Sequence, residues 1–329
     1  MDDIKKILIY RTDRYGDFLI SAPFVYSLKK KYPKSQIHIM CSAYNENLIK
    51  NFTFVDKTMV FKDGFFSRFQ MIFSYFNKKY NLIIVLDGKR RSLYHSLFLK
   101  GKRYCLIKNY FLIKFCSFFK INYVINSESQ TQFKNIAYLS NLIGFNLIKN
   151  NVFENYQFPK FKLNLPKKYI VFHLDEKWFI KTYYFDYTDI NPSTASILKI
   201  LNFILKNKNI KIVLTTGYIK LPIIDFLKKY IYKKKHLNNN IFIIENSSFN
   251  EIQYIISKSK ALICCEGGVS HVSYFFNKST LALYEGDRKN FHNFWTGHMN
   301  KLVAHHREDI KILSKSNSLF YKKILKTLG

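Results

Sequence analysis

Residues 5–40, KKILIYRTDRYGDFLISAPFVYSLKKKYPKSQIHIM, carry the reading on which the fold turns. Lys6 to Tyr10 is a short β-rich apolar run, Phe18 to about Tyr32 has the spacing of an amphipathic helix, and Gln36 to Cys41 is a second strand. Strand, helix and strand in that order predict a parallel α/β unit. A further strand at Leu82 to Leu86 and a helix from Gln132 to Gly144 complete this series. The Asn- and Lys-rich stretch from Lys149 to Lys168, with Pro159 and Pro166, reads as a linker. A second series then begins, with strands expected at Tyr169–His173, Ile210–Thr215, Ile241–Ile244, Ala261–Cys265 and Thr280–Tyr284. Helices are expected between them near Ser193–Lys206, Leu221–Lys233, Asn250–Lys258 and Val269–Phe276. The predicted chain is two doubly wound α/β domains, 1–160 and 161–329, sharing a cleft at the carboxyl ends of both sheets, where open sheets place ligands. The last segment, Ser318–Leu328, is helical in pattern and is read as free to cross back onto the first domain.

A length of 329 residues suits two cores, and 48% hydrophobic content excludes disorder as the main state. The net charge of +31 favours anionic partners, although such a balance speaks to association and not to fold. Lys outnumbers Arg 45 to 8, and Asn, Ile, Phe and Tyr are abundant, the bias an AT-rich genome produces without any ligand. Nucleic-acid readers lean on Arg forks, so nucleic acid ranks last and an anionic membrane surface ranks ahead of it. The five cysteines include no CxxC pair and are odd in number, which fits a reducing compartment and no zinc site. The start, Met1-Asp2-Asp3, lacks the basic head of a signal peptide, and Lys108, Lys114 and Lys120 interrupt the most apolar stretch, Tyr104 to Val124. The expectation is a cytoplasmic protein, soluble or peripheral on a membrane.

Four strand ends hold residues suited to chemistry. Arg11-Thr12-Asp13-Arg14-Tyr15-Gly16-Asp17 lies between the first strand and its helix. Gly16 would permit a tight turn, Arg11 and Arg14 would bind an anion, and Asp17 either aims into the cleft or caps the helix, a frequent role for Asp. Cys264-Cys265-Glu266-Gly267-Gly268-Val269-Ser270-His271 ends a strand and opens a helix. Paired glycines there let backbone N–H groups and the helix terminus hold a diphosphate, or simply make the turn. His271 stands about one turn in, as a ligand contact or a core hydrogen-bonding group. His173-Leu174-Asp175-Glu176-Lys177-Trp178 offers Lys177 to a phosphate, or is a solvated loop. Thr215-Thr216-Gly217 is a small-residue turn that would admit a nucleotide, or only a turn.

There is no Asp-x-Asp triplet for a metal-bridged sugar diphosphate, no Gly-x-Gly-x-x-Gly or Walker loop, and no Gly-x-Ser-x-Gly elbow. Taken in order, the pieces resemble glycosyltransferase family 9, the bacterial lipopolysaccharide heptosyltransferases. The opening stretch resembles that family's first strand, Gly-Asp turn and Pro-containing helix. YNLIIVLDG, HLDEKWF and IVLTTG resemble its later strand, lysine loop and Thr-Gly strand end, and ALICCEGGVSHVSYFFNKSTLALYEG resembles its C-terminal donor motif. Glu266 stands where the family commonly has Asp and Gly267 where it has Thr.

The resemblance implies a GT-B fold, with two Rossmann-like domains, and an inverting, metal-independent transfer of a sugar, heptose first, from an ADP-sugar to a lipopolysaccharide-core or other glycolipid acceptor. It implies an acceptor-binding first domain, with Asp17 as base and Arg11, Arg14 and Gly16 beside it. It implies a donor-binding second domain using Lys177, Thr215, Thr216, Gly217, Glu266, Gly267, Gly268 and His271, with no metal and no cofactor beyond the nucleotide-sugar substrate. Phe61 to Tyr80 and Tyr104 to Lys120 interleave aromatics with Lys, as interfacial helices at an inner membrane do, or as ordinary core helices do. The alternatives to this function are a family member with a different nucleotide-sugar and a non-catalytic protein that binds anionic polymers.

Overall fold

Ile7, Leu8, Ile9 and Tyr10 are all fully buried. Successive strand side chains point to opposite faces, so four such residues in a row mean a sheet covered on both sides. The computed structural model describes residues 4–62, 64, 70, 78–108, 111–148, 152–179, 190–307, 310 and 318–329, with the backbone alone at Asp287 and Ser318.

In the first half, β1 (Lys6–Arg11), β2 (Gln36–Cys41), β3 (Lys57–Val60), β4 (Lys79–Val85), β5 (Lys100–Ile107) and β6 (Asn122–Ile125) form one sheet in the order β3-β2-β1-β4-β5-β6. All of its pairings are parallel. The helices are α1 (Tyr15–Lys31), α2 (Ala43–Ile49), α3 (Arg90–Leu97), α4 (Phe111–Phe118) and α5 (Gln132–Ile143). In α1 the acid, Asp17, sits in the first turn and Lys29, Lys30 and Lys31 in the last, which complements the helix dipole at both ends.

The second half repeats the plan. Its strands are β7 (Tyr169–His173), β8 (Lys211–Thr215), β9 (Ile241–Ile244), β10 (Ala261–Cys265), β11 (Ser279–Tyr284) and β12 (Leu302–His306). They lie in the order β12-β11-β10-β7-β8-β9, again all parallel. Its helices are α6 (Thr194–Asn207), α7 (Pro222–Lys233), α8 (Lys235–Asn238), α9 (Phe249–Lys258), α10 (Gly268–Phe275), α11 (Lys289–Thr296) and α12 (Ser318–Leu328). Counted from its own first strand, each sheet has the Rossmann order 3-2-1-4-5-6, so strand order reverses between β1 and β4 and again between β7 and β10.

Three expectations change. The chain separates into two units between Phe158 and Pro159. Within the stretch read as linker, Val152–Asn155 forms a 3-10 turn and Tyr156 bridges Phe52, so this part belongs to the first half. Tyr104 to Lys120 is not one helix: its start is the buried end of β5 and only Phe111–Phe118 is helical. The companion segment, Phe61 to Tyr80, falls mostly outside the described residues, and its end is strand β4. The last helix packs within its own half against β11, β12 and α6, with the Phe203 and Tyr321 rings 4.3 Å apart. No described helix is long and apolar enough to cross a membrane.

Phe320 and Ile324 of α12 are fully buried in the second core. Phe320→Ala is expected to lower unfolding free energy by about 3–5 kcal/mol in urea titrations. A change of less than about 0.5 kcal/mol would mean that α12 is not docked there.

Candidate active site

At the reversal point of the first sheet, β1 ends in Arg11, whose side chain is only 2% exposed. Its Nε and Nη2 donate to the Asp17 backbone carbonyl at 3.0 and 2.8 Å, and Nη1 donates to the Leu86 carbonyl at 2.8 Å and to Asp13 Oδ2 at 3.2 Å. The guanidinium therefore ties β1, the end of β4 and the first turn of α1 together. The expectation that Arg11 binds a ligand anion is corrected, because its fork is consumed inside the protein. Gly16 is corrected likewise: it is the buried second residue of α1, and its φ is not among the positive ones. Arg14, by contrast, is exposed at the start of the helix.

Asp17 is the third residue of α1, and its Oδ2 accepts the Arg14 backbone N–H at 3.1 Å. The capping role is real, yet the side chain keeps 19% exposure, and Oδ1 lies 3.7 Å from Arg11 Nη2. Burial raises the Asp17 pKa above the usual carboxylate value, Arg11 opposes the rise, and Asp13 adds to it. A carboxylate so placed has more proton affinity than one in water.

Asp87, at the end of the VLDG stretch, is a residue that motif reading passed over. It is fully buried and accepts from the Thr12 hydroxyl at 2.6 Å, the Ser92 hydroxyl at 2.6 Å and the Lys89 N–H at 3.1 Å. Lys89 Nζ donates to the Thr12 carbonyl at 3.1 Å and pairs with Asp13. These contacts hold the Thr12-Asp13 turn beside Asp17. An acid followed by Gly at a strand end was the available signal, but the partner that ties it to the Thr12-Asp13 turn lies 75 residues away in sequence.

At the reversal point of the second sheet, the loop after β7 meets the turn from β10 into α10. Lys177 Nζ donates to the Glu266 carbonyl at 3.1 Å. Gly267 has φ +151° and ψ −158°, a region populated almost only by glycine. A Cβ there would stand 2.0 Å from Lys177 Nζ, so the ammonium occupies the volume that any side chain at 267 would need. This is the physical content of the Gly267 departure. Asp175, 5% exposed, lies beside the lysine. Burial works against the Lys177 charge, but Asp175 outweighs it with help from Cys265 and Glu176, and the ammonium's pKa is raised. Arg307, also buried, donates to the Lys177 carbonyl and lies 3.6 Å from Glu285 through Nε. Glu285 lies in the ALYEG end of the quoted donor-motif stretch, whereas Arg307 lies outside every quoted motif.

A cation at the N-terminus of a helix faces the positive end of its dipole, where the first N–H groups lack intrahelical partners. Lys177 and α10 thus converge positive charge and N–H donors on one spot, an arrangement that a phosphate oxygen satisfies. Gly268 opens α10. His271, 7% exposed, has a buried Nδ1 without a hydrogen-bond partner among the described residues. Burial pushes its pKa down to about 3, with the charges of His298, Lys177 and His292 adding to the fall, so the ring is neutral. The Glu266 carboxylate turns aside, with Oε2 2.9 Å from His292 Nδ1.

The threonine expectation is corrected. Thr215 is fully buried, with its hydroxyl 2.9 Å from His173 Nδ1. The Thr216 hydroxyl donates to the Gly217 carbonyl at 3.2 Å and accepts the Asn246 N–H at 3.1 Å. Both side chains shape the turn, and of the three residues only Gly217 is partly exposed.

No protein-family model and no curated protein matches the chain. Solved structures do. A family 9 glycosyltransferase from Veillonella parvula aligns over 98% of this chain and 95% of its own, at 13% identity and a TM-score of 0.67. The E. coli heptosyltransferase WaaC, solved with ADP, aligns over 98% of this chain and 100% of its own, at 13% identity and a TM-score of 0.70. E. coli ADP-heptose lipopolysaccharide heptosyltransferase II aligns over 97% and 99%, at 13% identity and a TM-score of 0.64. The chain has the GT-B fold. At this identity the likeness concerns the path of the backbone, with both Rossmann-like halves included.

Two measurements check the site. Gly267→Ala should cost about 1–3 kcal/mol of stability, and about 1 kcal/mol less in a Lys177→Ala background, since the clash goes while the φ strain stays. Equal costs in both backgrounds would show that Lys177 does not rest on Gly267. For His271 the folded pKa lies below the ordinary 6.5, so the unfolded chain binds the extra proton and stability falls as pH drops from about 6.5 toward 3. His271→Gln should flatten the stability–pH profile in that window by up to about 1.4 kcal/mol per pH unit. An unchanged slope would contradict the buried neutral ring.

Proposed function

We propose that this chain is an inverting, metal-independent glycosyltransferase that moves a sugar, heptose in the first instance, from an ADP-sugar to a lipopolysaccharide-core or other glycolipid acceptor. The observation that carries the reading is the Lys177 ammonium seated against Gly267 at the N-terminus of α10, on the carboxyl side of a Rossmann-type sheet. Fixed positive charge at that point suits a departing diphosphate and does the work that a divalent cation does elsewhere. The choice of ADP and heptose rests on the likeness to E. coli chains solved with ADP or named for ADP-heptose.

In this mechanism the acceptor hydroxyl oxygen attacks the anomeric carbon of the donor sugar. Asp17 takes the hydroxyl proton as the new C–O bond forms, and its raised pKa favours that transfer. The bond from the anomeric carbon to the diphosphate oxygen breaks, and the nucleoside diphosphate leaves with the electron pair toward Lys177 and the first turn of α10. Gly267 and Gly268 let the backbone approach the phosphates, Gly217 offers an open turn to the nucleotide, and His271 contacts the donor. Arg11 serves by positioning Asp17, and Arg14, exposed at the start of α1, contacts the acceptor. The reaction belongs on the cytoplasmic side of the membrane.

The capping and catalytic roles of Asp17 separate in Asp17→Asn, because the amide oxygen still accepts the Arg14 N–H. The variant should keep stability within about 1 kcal/mol of the parent and bind ADP as tightly by calorimetry. It should lose ADP release from ADP-heptose, in the presence of truncated-core lipopolysaccharide, by a factor of about 10²–10⁴. Lys177→Ala should weaken ADP binding, with or without EDTA. Undiminished turnover in Asp17→Asn rejects its role as base. Tighter binding of UDP, GDP or CMP than ADP moves the donor, and no nucleotide binding at all favours the non-catalytic binding protein.

A further inference from the structure

Helix α4, Phe111–Phe118, turns the wrong residues to water for a helix at an ordinary protein surface. Leu112 and Cys116 face the core of the first half, while Phe111 and Phe118 are 78% and 81% exposed. Phe119, just past the helix, is 42% exposed, and Tyr94 of α3 is 44% exposed. Four rings form a chain, with Tyr94 to Phe115 at 5.1 Å, Phe115 to Phe119 at 4.7 Å and Phe119 to Phe118 at 5.0 Å, and Phe111 stands at the other end of the same helix. This is a contiguous aromatic patch and not scattered exposure.

The segment that carries it has charge of one sign. From Gly88 to Ser127 the sequence holds nine Lys and Arg residues and no Asp or Glu. Lys114 lies exposed on α4 between Phe111 and Phe118, and Lys120 lies exposed beside Phe119. An interfacial helix has this composition: aromatic rings enter the boundary between head groups and acyl chains, and lysine stems lie along the apolar surface with their ammonium groups on anionic head groups. A second copy of the same surface would bring like charge against like charge.

We infer that the α3–α4 face of the first half is a docking surface for an anionic lipid bilayer. The inference deepens the proposed function and rests on it for one link, that a membrane-held acceptor needs its enzyme at the membrane. The placement fits that link: Lys108, whose charge acts on Asp17, is three residues from the exposed Phe111. The surface itself stands on exposure and charge alone.

The test is co-sedimentation of the full chain with vesicles of equal parts phosphatidylglycerol and phosphatidylcholine, against vesicles of phosphatidylcholine alone, at low and moderate salt. The expected result is binding to the anionic vesicles that weakens as salt rises. Phe111→Ser with Phe118→Ser should reduce partitioning by about tenfold or more, with an unchanged thermal melt and unchanged ADP affinity. Both positions are exposed, so the double variant should fold normally, and Lys114→Gln with Lys120→Gln gives a second, charge-only arm that should flatten the salt dependence. Vesicle binding equal to the parent's in the double Phe variant overturns the inference. So does a protein that ignores vesicles but binds single-stranded RNA through the same phenylalanines. Patch-dependent vesicle binding by a protein that binds no nucleotide would uphold the surface and sink the transferase reading separately.

Discussion

Parallel strands cannot be joined by tight turns, so each described strand reaches the next one in its sheet by a crossover that brings the chain back to the end where the first strand began. The loops that leave the described strands therefore gather at the carboxyl ends of each sheet. Where the winding reverses, two of them diverge and leave a crevice, with β1 beside β4 in the first half and β7 beside β10 in the second. Each group of residues suited to chemistry stands at one of these two points. Asp17, Asp13 and Asp87 belong to the first, and Lys177, Asp175 and Gly267 to the second.

The two points are built around groups of opposite charge, Asp17 at the first and Lys177 at the second. The first concentrates carboxylates, and the buried Arg11 fork holds them by binding backbone carbonyls on both sides of the reversal. Burial and mutual repulsion then raise the carboxyl pKa values of Asp17 and Asp87. At the second point a lysine rests on a helix terminus among carboxylates, with Asp175 favouring its charge and Arg307 donating to its backbone carbonyl. In the proposed transfer, the group that takes a proton and the group that receives a diphosphate need these two environments. The same separation explains why Arg11 and Thr215, both attractive as ligand contacts, turn out to be internal parts: each is fully occupied in holding a neighbour.

How far the site was legible differs residue by residue. Asp17, Lys177 and Gly267 were visible because they interrupt apolar runs at strand ends, where polar or special backbone chemistry has few other uses. Asp87 and Arg307 were not, since the contacts that tie them to the site, to Thr12 and to the Lys177 carbonyl, form only once the sheets are built. Gly16 misled because a glycine before an acid looks like a turn, although here it lies inside a helix that begins three residues earlier than periodicity suggests. Tyr104 to Lys120 misled in another way. Its apolar density was read as one helix, but Ile107 ends a buried strand and the exposed phenylalanines belong to the short helix that follows.

The sequence by itself determined the alternation of strands and helices, the two series, and the strand ends at which chemistry concentrates, because apolar periodicity, glycine and charge placement are local properties of the chain. It determined the one-signed charge of the segment around α4 as well. Only the tertiary structure decided the order of strands within each sheet, and with it which loops became neighbours. It alone decided that the Lys177 ammonium fills the space a side chain at 267 would take, that Arg11 is spent on backbone carbonyls, and that Phe111 and Phe118 face outward. The reason is that burial and contact belong to packing between elements far apart in sequence, and a buried charge takes its role from whichever partners the fold brings within reach.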